Sequence, residues 1–187
     1  MGQSQINLDK LVYLDIEFIS RKYEEIREVD PATKFVHQQG GHADVKAFFA
    51  NAGVTTQESR TYSITSREML SSVWGTLSEQ YPEFSSFENY QGTRLHWVAG
   101  MLGIAEWKKR GSDESGFEYF ELKVNGQRMA FLSQESYLSA GFAQVFGASI
   151  ALKANISIPV RCLVRVMWLA EATHNYVACV HNLRAII

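Results

Sequence analysis

Phe117-Glu118-Tyr119-Phe120-Glu121-Leu122-Lys123-Val124-Asn125-Gly126-Gln127-Arg128-Met129-Ala130-Phe131-Leu132 is the stretch that decides the fold class. Asn-Gly between two runs rich in aromatic and branched residues is the strongest short hairpin signal. Both central turn positions need positive φ, which Asn and Gly reach at least cost. Working outward, the period of two continues on both sides. Before the hairpin, Leu95, Trp97, Ala99 and Met101 alternate with Arg94, His96, Val98 and Gly100. A further strand reads from Ile104 to Lys109, and Gly111 to Gly116 is the turn into Phe117. After the hairpin, Ser133 is placed to cap a helix carrying Leu138, Phe142, Val145 and Phe146. Two long strands then follow. Ile150, Leu152, Ala154, Ile156 and Ile158 alternate in the first; Val160, Cys162, Val164, Val166 and Trp168 do so after Pro159. A last hairpin turns near Thr173-His174-Asn175 and returns through Tyr176 to Val180.

The first half reads differently. Leu11 to Leu14 is a short strand, Asp15 an N-cap, and Ile16, Ile19, Tyr23 and Ile26 recur at helical spacing. Asp30-Pro31 disfavours helix, so this one ends near Val29. Residues 31–41 read as loop, and a short helix is expected from about Ala43 to Asn51, with Gly53 at its C-cap. Val54 to Ile64 reads as an exposed strand or arm. Thr65-Ser66-Arg67-Glu68 is a capping box, and Met69, Leu70, Val73, Leu77 and Tyr81 mark one face of the helix it starts. Helices first and strands after give an α+β class. One domain is expected over 1–187: a mainly helical part at 1–92, packed on a mainly antiparallel sheet at 93–187 that can curl into a barrel-like form.

Composition bounds the partners. The net charge of −2 supplies no global field for nucleic acid or acidic lipid, so any anion site is local. Cys162 and Cys179 do not make a secreted disulfide framework, and Met1-Gly2-Gln3-Ser4-Gln5 has no leader-like apolar run; a cytoplasmic protein is expected. The uncharged stretch Ser136 to Leu152 is too short and too polar to span a bilayer. It reads as a buried helix running into a strand.

Familiar catalytic and phosphate-loop motifs are absent. His37, His42, His96, His174 and His181 do not pair at zinc-ligand spacing, so no metal and no cofactor is expected. Four features remain. On a strand, residues two apart share a face, so Arg161 and Arg165 project together, and Arg94 with His96 could join them on one sheet surface. Arginine forks suit phosphate or carboxylate; the competing reading is a solvated sheet face. Trp107-Lys108-Lys109-Arg110 sets a stacking ring beside three cations, or is simply a solvated hairpin end. Gln38-Gln39-Gly40-Gly41-His42 offers backbone amides to an anion, or merely connects helices. Tyr81, Phe84, Phe87, Tyr90 and Trp97 form an aromatic pocket wall or the sealed end of a core. Cys162 falls on the apolar face, where thiols pack rather than react.

The opening Leu11-Val12-Tyr13-Leu14-Asp15, followed by an amphipathic helix, resembles the uncharacterised bacterial cytoplasmic DUF6414 family. That family opens on a Tyr-Leu-Asp strand-to-helix junction and has a middle helix and a β-rich second half. The resemblance implies an overall pattern; it brings no activity, cofactor or catalytic residue. The functional expectation is a non-enzymatic binding module for an anionic or nucleotide-like small ligand, or an acidic partner. Arg94, His96, Arg161 and Arg165 supply charge and Trp97 or Trp107 a stacking plane. The rival from another class is an interaction protein that forms a homo-oligomer without ligand. A hydrolase built around His96 is a third possibility.

Overall fold

The computed structural model describes residues 8–38, 57–62, 64–84, 93–107, 116–171 and 174–186. After a 3-10 turn, β1 (Leu11–Leu14) leads into α1 (Ile16–Arg27). Asp15 starts that helix: its carboxylate accepts from the Phe18 N–H at 2.9 Å. Glu28 ends it in the left-handed region, at φ 57, with its N–H on the Glu24 carbonyl. β2 (Ala32–Gln38) and β3 (Gln57–Tyr62) pair antiparallel as a separate two-stranded ribbon. α2 (Ser66–Gln80) begins at the capping box. The Thr65 hydroxyl accepts from the Glu68 N–H at 3.2 Å, and the Glu68 carboxylate accepts from the Thr65 N–H at 2.9 Å. Those hydrogen bonds hold the Glu68 carboxyl below its usual range.

The sheet is mainly antiparallel. It comprises β4 (Leu95–Trp107), β5 (Phe117–Val124), β6 (Gln127–Leu132), β7 (Ile158–Ala170) and β8 (Asn175–Ala185), with β1 added beside β8. The short helices α3 (Ala140–Ala143) and α4 (Ile150–Lys153) lie between β6 and β7. Asn125 at φ 49 and Gly126 at φ 79 make the β5–β6 turn that the sequence demands. The long β4 divides its partners: Leu95 to Leu102 pair with β7, and Met101 to Trp107 with β5. β6 pairs with β8 in parallel, and β8 pairs antiparallel with β7. The pairings therefore run β4–β5–β6–β8–β7 and back to β4.

Each side of this sheet has its own core. Val98, Leu102, Leu122, Met129, Cys162 and Val164 belong to one cluster. Trp97 and Leu163 belong to the other, packed with Phe18 and Ile19 of α1 and Met69, Val73, Trp74 and Leu77 of α2. Neighbours along one strand, Trp97 and Val98, are thus both buried, on opposite faces. Among the described residues no helix is long and apolar enough to cross a membrane.

Several expectations need correction. The first 92 residues hold strands β1, β2 and β3 as well as helices, so a helical half set against a sheet half is too simple. Residues 32–38 are strand rather than loop. Leu95 to Trp107 is one strand, not two. The segment after Ser133 is a series of short turns and α3, not a single helix. Ile150 to Lys153 is helical despite its alternation, and Leu152 is 68% exposed. The reason is topological: β5 and β8 already occupy both sides of β6, so the chain must cross to β7 before it can pair again. The last strand runs past Val180 to Ala185. The expected helix at 43–51 with Gly53, the segments 39–42 and 108–115, and Phe87 and Tyr90 lie outside the described residues.

Candidate functional site

The register of β4 on β7 locates four of the six residues singled out by the sequence, His96, Trp97, Arg161 and Arg165. Leu95 lies opposite Arg165, Trp97 opposite Leu163, and Ala99 opposite Arg161. Arg161 and Arg165 therefore share the face of Trp97. His96 lies opposite Val164, on the other face, with its ring edge-on to Phe84 at 5.5 Å. Burial, then the nearby Arg94 charge, lowers its pKa. Arg94 is exposed just ahead of β4. The single wall of three arginines and a histidine is thus not formed. Trp107 is opposite Phe117 at the far end of β4, roughly 27 Å along the strand from Ala99. Trp97 offers no stacking plane either. It is fully buried, and its indole N–H donates to the Leu77 carbonyl at 3.0 Å.

What the fold does bring together is Arg161 and Arg184. They are direct cross-strand partners between β7 and β8. The Arg161 guanidinium lies over the Trp97 ring at 4.3 Å from its centroid, and that of Arg184 lies over Trp74 at 4.9 Å. The two indoles meet edge to face at 5.4 Å. Trp74 comes from the buried stripe of α2, so the helix layer sets the floor on which both arginines rest.

Among the described residues one carboxylate reaches this pair, at Arg161. Glu83 Oε1 accepts from Arg161 Nη2 at 2.5 Å and from Arg161 Nε at 3.1 Å. Glu83 is positioned by a short strap: the Trp97 N–H donates to the Pro82 carbonyl, and the Phe84 N–H to the Trp97 carbonyl. Arg184 makes no hydrogen bond or ion pair among the described residues, and its Nε is buried without a partner. Burial, then the Arg161 charge, lowers its pKa. Like charges directly opposite in a sheet are unfavourable, and an oxyanion between them reverses the sign of that interaction. Arg165, four residues along the same face, spends one nitrogen on the Thr93 carbonyl at 2.9 Å.

Other polar clusters read as fastenings. Asp15 caps α1 through Oδ1 and meets His181 Nδ1 through Oδ2 at 2.8 Å, while the imidazole stacks on Phe18 at 4.2 Å. This clamps the start of α1 to β8. Glu121, buried, takes Arg128 at 2.6 Å, and Asn175 donates to the Tyr119 hydroxyl at 2.7 Å. Cys162 is buried and its thiol pushed up by desolvation, as its place on the apolar face implies. No group of three or more potential metal ligands is found among the described residues.

Arg184, Trp74 and Glu83 escaped the sequence reading. Arg184 was reachable: continuing the last strand to Ala185 puts it on that strand. Its pairing with Arg161 depends on a register that single strands do not encode. Comparison with protein-family models, with curated proteins and with solved structures returns no match.

Proposed function

We propose that this chain is a non-enzymatic binding module whose ligand is an anion held between Arg161 and Arg184. The observation that carries the reading is that two guanidinium groups stand in direct cross-strand register while the one carboxylate that reaches them among the described residues, Glu83, engages Arg161 only. The tryptophans beneath pre-set both arginine planes, which lowers the ordering cost of binding. The ring of strand pairings supports reading the sheet as a small closed barrel. Its order, β4-β5-β6-β8-β7 with a parallel β6–β8 pair, is that of oligonucleotide/oligosaccharide-binding barrels. Fold likeness alone assigns no ligand. Two unpaired cysteines suit a cytoplasmic setting. The likeness to the DUF6414 family, carried by Tyr13-Leu14-Asp15, adds no activity to this reading.

Isothermal titration at low salt against nucleotides and other phosphorylated or carboxylated small molecules tests it. Arg184→Ala should weaken binding of any positive ligand by about thirtyfold, in keeping with a lost charge-assisted hydrogen bond. Arg94→Ala should leave it unchanged. Equal affinities for the wild type and Arg184→Ala would remove the proposed site.

A second reading is favoured by a different surface. Trp168 and Leu169, near the end of β7, are 41% and 44% exposed. As successive strand residues they point to opposite faces, and the larger of the two, Trp168, is the one that suits a contact between copies of the chain. Light scattering should then show a dimer that Trp168→Ser dissociates. A monomer at all concentrations excludes this reading.

A further inference from the structure

We infer that the Arg161–Arg184 pair selects a terminal phosphate dianion, and that Glu83 is a built-in competitor that keeps singly charged carboxylates from bridging the two arginines. The inference rests on the anion-binding reading above and specifies its ligand. The charges decide it. Among the described residues one carboxylate serves the two guanidinium groups, and it engages Arg161 alone. The strap through Pro82 and Phe84 fixes Glu83 beside its partner, so its effective concentration is on the order of millimolar or higher.

An incoming monocarboxylate can pair with Arg184, but it then fills one fork only, because Glu83 holds the other. To bridge both arginines it must displace Glu83 from Arg161, an exchange of like for like that gains nothing. A phosphate monoester carries about −1.5 to −2 at neutral pH and presents three acceptor oxygens. It can displace Glu83, neutralise both arginines and fill both forks at once. Directly opposed residues in an antiparallel pair hold their Cβ atoms about 5 Å apart, a spacing that one phosphate bridges. Trp97 and Trp74 are buried beneath the guanidinium planes, so they offer no exposed face to a nucleobase. Recognition then comes from the phosphate itself, and inorganic phosphate should bind about as tightly as a nucleoside 5′-monophosphate.

The test is calorimetric titration of the full chain with acetate, inorganic phosphate and a nucleoside 5′-monophosphate, in the wild type, Glu83→Gln and Arg184→Ala. Glu83 is largely exposed and glutamine keeps its shape, so the variant should melt with the wild type. The wild type should prefer phosphate over acetate by at least about tenfold. Glu83→Gln should tighten phosphate about tenfold, and should tighten acetate too, since both forks are then open to it. A nucleotide much tighter than phosphate overturns the claim that phosphate alone is recognised. If anions bind in an Arg184-dependent way but Glu83→Gln changes neither affinity, this inference falls and the anion-binding reading stands. If no anion binds the wild type or Glu83→Gln, both fall.

Discussion

Trp97→Ala should lower stability by about 4 kcal/mol and the melting temperature by roughly 12 °C. Trp97 is the sheet's largest contribution to the core shared with α1 and α2. Its ring meets Trp74 edge to face, and its N–H answers the Leu77 carbonyl. Alanine leaves a cavity the size of an indole between two layers that are each fixed elsewhere, by the Asp15–His181 clamp and by the β4–β7 register. Such a site collapses poorly, which puts the cost toward the upper part of the usual range. The substitution also removes the surface beneath Arg161, so anion binding should weaken even where the protein remains folded. Urea denaturation with titration below the transition separates the two effects. A loss under about 1 kcal/mol would mean that the helix layer does not rest on this residue.

The contrast between Trp97 and Arg184 shows what a sequence discloses. Local signals are legible because local geometry causes them. The Thr65–Glu68 box starts α2, Asp15 caps α1, Asn125-Gly126 turns the hairpin, and Val160 to Val166 bury alternate side chains. Alternation fails as a guide where it is not backed by a partner: Ile150 to Ile156 has the period of a strand but no neighbour to pair with. It also misleads where both faces are covered, as on β4, because a residue between two apolar neighbours is then buried as well. The candidate site was half legible. Arg161 and Arg165 share a face because they lie two pleats apart on one strand; whether Arg94 and His96 join them depends on a cross-strand register that the sequence does not carry. Arg184 and Glu83 enter only when β8 and the Pro82 strap are laid against β7 and β4.

Gly100→Ala should cost about 3 kcal/mol, roughly 9 °C in melting temperature, although it adds only one methyl group. Gly100 lies opposite Val160 on β7, while the next residue, Met101, already lies opposite Lys123 on β5. Here β4 begins to pair with β5 while it still pairs with β7 as far as Leu102. A Cβ on Gly100 would run into the Lys123 carbonyl oxygen, with Val124 and Leu122 side chains at 3.0 and 3.1 Å. A side chain can rotate away from such an approach. The carbonyl of a paired strand cannot move without disturbing the β5–β6 hairpin, where Lys123 also faces Arg128. Gly75→Ala in α2 is the internal control: nothing lies within 4 Å of its added Cβ, and alanine should raise helix stability by up to about 1 kcal/mol. Opposite signs for two identical substitutions isolate close backbone approach from glycine's general effect on the unfolded chain. Parallel thermal melts read both, and a Gly100→Ala protein as stable as the wild type would mean that the β5 backbone does not lie against this residue.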